Sequence, residues 1–173
     1  MPVSETNAAP AHFYDLPQNS LGYLTRITFR SFSRQLERRT LPRGVTAGQW
    51  PFLRQLWVEE GMTQRELSRR VGMKEPTTVT ALNSLVKADL VRRVPSTEDR
   101  RKVHVFLTPK ARRLRAQLMV CVADVNEIAA EGIAPADLAT VRRVLTTMIE
   151  NLARDGAANA KSASPRREPV SAA

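Results

Sequence analysis

The chain has 173 residues, 27 Lys and Arg against 17 Asp and Glu, and a formal net charge of +10. That length suits one domain, or one domain with an extension, and the cation excess points to a polyanionic partner, nucleic acid first and an anionic membrane surface second. No apolar run approaches the roughly 20 residues of a membrane span, no basic-then-apolar leader opens the sequence, and the single cysteine, Cys121, excludes an intrachain disulfide and a cysteine-based zinc site, so a cytoplasmic protein is expected.

Residues 1–15 are rich in Pro, Ala, Ser and Asn and read as a flexible N-terminal arm. A helix is expected from Asp15 to Thr40, with Leu21, Leu24, Thr28 and Leu36 near one face and arginines spread along it. Leu41-Pro42-Arg43-Gly44 breaks it. Thr46 and Gln49 have the spacing of a capping box. They open a helix with Trp50, Leu53 and Trp57 as its apolar stripe and Gly61 as its end.

Thr63 and Glu66 form a second capping box, for a helix carrying Leu67 and Val71 on one face and ended by Gly72. Pro76 then sits in the first turn of a helix from about Glu75 to Ala88. Thr78, Ala81, Leu82, Leu85 and Val86 recur at helical spacing and are expected to face the core. Pro76, Thr77, Thr80, Asn83, Ser84 and Lys87 fall on the opposite face. That face offers hydroxyls, an amide and an ammonium without a carboxylate, groups suited to base edges and phosphates in a major groove. A polar outer face is also what any solvated helix presents.

Val91-Arg92-Arg93-Val94 and Lys102–Leu107 alternate apolar and polar residues, as hairpin strands do. The intervening tip ends in Arg100, Arg101 and Lys102, which with Arg93 would reach phosphates or a minor groove. Thr108 and Pro109 are the N-cap and first residue of a long helix. Ala111, Leu114, Leu118, Cys121, Val125 and Ile128 step along it by threes and fours. Gly132 and Pro135 interrupt, and Leu138, Val141, Leu145, Met148 and Leu152 repeat the spacing in a last helix. The two seams call for a partner, and a homodimer is preferred over an internal helix pair. Cys121, among apolar residues, reads as a buried structural thiol. Residues 156–173 read as a disordered basic tail.

Two helices followed by a charged hairpin is the layout of a winged helix-turn-helix, here between about 46 and 108. This stretch resembles the MarR family of bacterial regulators. Asp99-x-Arg101, five residues, then Leu107-Thr108 is similar to that family's wing signature. Pro76-Thr77, Leu90-Val91, Leu21-Gly22-Tyr23-Leu24 and Gln49-Trp50 extend the likeness over about 16–155. Two positions depart from the family's pattern, which commonly has Gly where this chain has Asp89 and Ala111.

The resemblance implies a mainly α protein with a two-stranded wing and terminal dimerisation helices, about 16–40 and 108–155. It implies that Arg101 contacts DNA and that Asp99 holds the wing arginines by ion pairing. It also implies a repressor released from a pseudo-palindromic operator by a small aromatic or phenolic acid, or its thioester. Tyr23, Arg26, Trp50 and Trp57 would supply an aromatic wall and a cation for such a carboxylate.

Two histidines far apart, no G-x-S-x-G, no phosphate loop and no H-E-x-x-H leave no pattern for an enzyme, a metal or a cofactor. Two rival functions remain. A sequence-tolerant architectural DNA protein would need mainly cations where this helix has Thr, Asn and Ser. A winged module that binds protein would have little use for a run of three cations at the wing tip.

Overall fold

The computed structural model describes residues 10–99 and 102–162. Of the arm expected over 1–15, residues 1–9 lie outside the described residues and 11–15 form a 3-10 turn. Of the disordered tail expected over 156–173, residues 156–162 instead continue the last helix; the rest lie outside the described residues, as do the wing residues Arg100 and Arg101. The chain divides into two compact units, residues 1–127 and 128–173. It is mainly helical, with one small antiparallel sheet.

The first unit begins with two 3-10 turns, Ala11–Asp15 and Pro17–Asn19, and then α1, Leu21–Thr40. The long helix therefore starts at Leu21, not at Asp15. The cause is Pro17, whose ring disfavours the helical region for the residue before it. Leu16 is accordingly extended, at φ −87° and ψ 122°. Ser20 becomes the N-cap, its Oγ accepting the Tyr23 N–H at 3.3 Å.

Next, α2 spans only Trp50–Leu56. Both capping-box bonds at Thr46 and Gln49 exist: Gln49 Oε1 accepts the Thr46 N–H at 3.0 Å, and Thr46 Oγ1 accepts the Gln49 N–H at 3.3 Å. They frame a turn that leads into α2. The helix stops well short of Gly61, which does different work. At φ +78° it swings the chain into a strand, and its N–H donates to Val105 O at 2.9 Å. A Cβ there would stand 3.1 Å from Phe106 Cε1, so a side chain would be both strained and crowded.

That strand, β1 (Met62–Thr63), is absent from the sequence reading, because two residues are too few to alternate. It pairs with β3 (Val103–Leu107), which also pairs with β2 (Val91–Pro95), giving the order β1-β3-β2. The hairpin register runs from Val91 opposite Leu107 to Pro95 opposite Val103. Between β1 and β2 in the chain come α3 (Gln64–Val71) and α4 (Glu75–Lys87). Thr63 caps α3 through the full reciprocal box with Glu66, and Gly72 closes it at φ +71°. On α4, Thr78, Leu82 and Leu85 are fully buried and Ala81 half-buried. Val86 is 42% exposed, against expectation. At 3.6 residues per turn it lies roughly 90° around α4 from the middle of the buried stripe, too far to reach the core.

The core gathers Phe52, Leu53 and Leu56 of α2, Leu67 of α3, Leu82 and Leu85 of α4, Leu90 and the sheet residues Val91, Val105 and Leu107. Helix α5 (Pro109–Ala130) adds Ala111 and Leu118, both 0% exposed. Thus the first of the two seams is not waiting for a partner molecule. Its N-terminal half completes this core, and the Cys121 thiol, also buried, faces Arg39 O of α1 at 3.7 Å. The second unit holds α6 (Pro135–Ser162), whose seam is another matter: Val141, Leu145 and Leu152 are exposed.

One ionic clasp sets the end of the sheet against α5. Glu60 accepts the Leu107 N–H at 3.1 Å and takes Arg112 in a two-toothed grip, Nε at 3.0 Å and Nη2 at 2.7 Å. The Arg112 hydrogen bond, aided by the Leu107 amide, holds the Glu60 carboxyl below its ordinary range, and Arg112 is raised in return. A carboxyl with a lowered folded pKa stabilises the fold above its unfolded value, and that contribution fades as pH falls through the folded value. Glu60→Gln should therefore lower stability at neutral pH and flatten the loss of stability below about pH 4.3, the free glutamate value. Urea melts at a series of pH values test this, and an unchanged acid limb would contradict it.

Candidate nucleic-acid interface

With Thr78, Leu82 and Leu85 anchored inward, the opposite face of α4 has to point out. Pro76, Thr77, Thr80, Asn83, Ser84 and Lys87 are all exposed. Thr80, Asn83, Ser84 and Lys87 stand at steps of three and four, so they form one continuous strip. The one carboxylate within α4, Glu75, lies in the first turn, where an acid suits the helix dipole, and it faces Arg65 Nε at 3.7 Å.

The strip's polar groups have partners behind or beside them. Thr80 Oγ1 donates to Pro76 O at 3.2 Å. Asn83 Oδ1 accepts from Arg93 Nη1 at 2.9 Å, which ties α4 to β2. Ser84 Oγ accepts from Gln49 Nε2 at 2.8 Å, which ties α4 to the entry of α2. Gln49 is 4% exposed, so this amide works from inside the fold. Sequence reasoning placed Gln49 in a capping box and, with Trp50, in the family likeness, with no partner on α4. Its second bond joins residues 35 positions apart, and no local spacing signals that. A shallow groove of about 520 Å³ beside this pair is lined by Thr46, Met73, Thr77 and Thr80 among others.

In the wing, the pleat sends neighbouring arginines to opposite sides. Arg93 reaches Asn83, while the Arg92 guanidinium lies 4.9 Å from the centre of the Phe106 ring. Ser96 Oγ accepts the amides of Glu98 and Asp99, both at 3.3 Å. Lys102 N–H donates to Asp99 O at 2.8 Å, and Ser96 N–H to Lys102 O at 2.9 Å. Lys102 is exposed and Asp99 half-buried. The expected pairing of Asp99 with Arg100 and Arg101 falls outside the described residues.

The four residues expected at a ligand site form two pairs. Tyr23 and Arg26 share the exposed face of α1, the guanidinium 5.5 Å from the ring centre. Trp50 and Trp57 meet edge to face with centres 5.7 Å apart. Trp50 belongs to the core at 8% exposure. Trp57 is half-buried, with its Nε1–H already donated to Ala111 O at 3.2 Å. Among the described residues there is no cluster of three metal-ligating side chains and no helix long and apolar enough to cross a membrane.

Two helices at the turn of Gly72, the second with an outward polar strip, followed by a hairpin whose arginine touches that strip, define a winged helix-turn-helix protein. The model of the MarR family matches residues 45–103, from the entry of α2 to the start of β3. A solved transcriptional regulator designated PA3341 is 34% identical, with a TM-score of 0.69, over 78% of this chain and 99% of that one. A MarR transcriptional regulator from Methanosarcina mazei Go1 is 28% identical, with a TM-score of 0.74, over 78% and 96%. The regulator TtmR of Methylorubrum extorquens is 34% identical over 74 residues, 43% of this chain, and the chain spans only 38% of TtmR's length. The chain belongs to the MarR family.

Apart from Ser84, the outer strip contributes little to folding, since its side chains are exposed and their bonds compete with water. Thr77→Ala, Lys87→Ala and Arg93→Ala should each leave unfolding free energy within about 0.5 kcal/mol of the parent. A loss of about 2 kcal/mol or more in a denaturant melt would make these residues structural instead.

Proposed function

We propose that this chain is a homodimeric, sequence-reading DNA-binding transcriptional regulator, a repressor released by a small aromatic acid. The observation that carries the reading is the α4 strip: hydroxyls, an amide and an ammonium, all exposed, free of carboxylates, and flanked by Arg93 of the wing. In this reading α4 enters the major groove. Thr80, Asn83 and Ser84 meet base edges, while Thr77, Lys87 and the Pro76 end of the helix meet phosphates. Arg93, Arg100, Arg101 and Lys102 hold the flanking backbone or minor groove, with Asp99 as their orienting partner. The net charge of +10 supplies the long-range attraction.

The experiment is a titration of selected and random duplexes at several salt concentrations. Lys87→Ala should weaken binding about equally on every sequence and reduce the salt slope by about 1. Equal affinity for selected and random duplexes would favour an architectural role and count against this one.

Dimerisation is supported by α6. Val141 is 50% exposed, Ile149 68% and Leu152 72%, an apolar line that water disfavours and a second copy would cover. Leu21, Leu24 and Phe29 of α1 are exposed as well. In this domain plan, residues 16–40 and 108–155 carry the dimer and 46–108 the DNA contact. Because Leu145 is exposed, Leu145→Asp should give folded monomers by sedimentation. A parent chain that is itself monomeric at micromolar concentration would contradict the dimer.

For the ligand, Arg26 offers an accessible guanidinium beside the Tyr23 ring, chemistry suited to an aromatic carboxylate or its thioester. Such a ligand acts only by preferring the DNA-incompetent form, by about 1.4 kcal/mol for each tenfold loss of DNA affinity.

A further inference from the structure

We propose that Gln49, only 4% exposed behind the strip, is a positioning residue that decides which hydrogen bonds Ser84 offers to DNA, and that the Asn83–Ser84 pair is a donor face matched to guanine. This rests on the reading of α4 as a recognition helix.

The argument needs only the fixed identities of donors and acceptors. A backbone N–H can only donate, so the Gln49 atom 3.0 Å from the Thr46 N–H has to be Oε1. The other end of the amide, Nε2, then faces Ser84 Oγ at 2.8 Å. An amide nitrogen cannot accept, so Ser84 has to accept here. Its own proton is barred from the inward direction and is kept for the outward side. A hydroxyl that accepts from an amide also becomes a stronger donor, because chained hydrogen bonds polarise one another. The burial of Gln49 protects this arrangement from water that would otherwise scramble it.

Asn83 next to it obeys the same logic. A guanidinium never accepts, so Arg93 at 2.9 Å fixes Oδ1 on the wing side. The Nδ2 group with its two N–H donors is left for the partner. Two adjacent residues of the strip thus carry donors outward, each set by a different obligate donor behind it. In the major groove guanine presents two acceptors, N7 and O6, and no donor, whereas cytosine presents the N4 amine. Thymine and adenine, with one acceptor each, are intermediate.

Gln49→Glu inverts the device with almost no change of shape. The carboxylate still accepts from the Thr46 N–H, but its other oxygen now accepts the Ser84 proton, so only lone pairs remain outward. The test is binding of the full-length protein to its selected duplex and to copies changed from G to C at each half-site position, reported as the G-to-C affinity ratio at constant salt. The parent should favour guanine roughly tenfold or more at one position. Gln49→Glu should bring that ratio close to one or reverse it. Ser84→Ala, which removes the hydroxyl and leaves Gln49 Nε2 without its acceptor, should also collapse the ratio. The two substitutions together should do no more than Ser84→Ala.

A buried carboxylate that merely weakened the fold or repelled DNA would lower affinity for every duplex in proportion and leave the ratio intact. That outcome overturns the inference, as does a ratio that survives Ser84→Ala, which would place Ser84 on a phosphate. A parent protein without any preferred duplex overturns instead the DNA-reading function on which the inference rests.

Discussion

Asp89 sits in the left-handed region at φ 54°, and the site is assembled around that one residue. At the end of α4 the Asp89 N–H donates to Val86 O at 3.0 Å and the Leu90 N–H to Leu85 O at 2.9 Å, the paired bonds that end a helix cleanly. The Asp89 carbonyl then accepts the Thr108 hydroxyl at 2.8 Å, and Leu90 O accepts the Thr108 N–H at 3.0 Å. Thr108 Oγ1 in turn accepts the Ala111 N–H at 3.2 Å at the start of α5. Four elements therefore meet at this corner: the end of α4, the start of β2, the end of β3 and the start of α5. The left-handed turn costs about 1–2 kcal/mol for a residue with a Cβ. The complete burial of Leu90 and the shared bonds offset it. The junction of α4 with the wing is fixed here, and with it the reach of Arg93 to Asn83.

The same helix has to be held firmly and left free, and it divides the two tasks by face. Leu82 and Leu85 lock α4 against α2, α3 and the sheet, each contributing on the order of 2 kcal/mol by burial. Apart from Ser84, which satisfies the Gln49 amide, the outer strip is exposed, so its chemistry is open to be chosen for a partner. Gln49 and Arg93 connect the two faces. Each brings an obligate donor to a polar group on the strip and turns the face of a helix into a pattern with direction.

Much of this was legible in the sequence wherever the determinant was local. The capping box of Thr63 and Glu66, the glycine at 72, Pro76 in a first turn and the period of Leu82 and Leu85 place α3 and α4 almost to the residue. The departure from glycine at Asp89 is tolerated because a short polar side chain accepts left-handed geometry. Local rules misled where one proline outweighed a periodic pattern, as at Pro17, or where a pattern described burial without naming the neighbour. The Ala111–Leu118 seam has the spacing of a coiled coil, yet it packs into its own domain. Non-local features gave no signal at all: the two-residue β1, the Glu60 clasp across 52 positions to Arg112, and the reach of Gln49 across 35 to Ser84.

The central claim is that α4 and the wing, rather than the basic charge as a whole, form the contact with DNA. Hydrogen exchange of the backbone amides, followed by mass spectrometry with and without a selected duplex, tests this directly. The account predicts that slowed exchange concentrates in peptides covering Glu75–Lys87 and the hairpin from Val91 to Leu107, at a salt concentration where random duplexes give little protection. Protection spread evenly over the arginine-rich helices, or confined to α1 and α6, would contradict it.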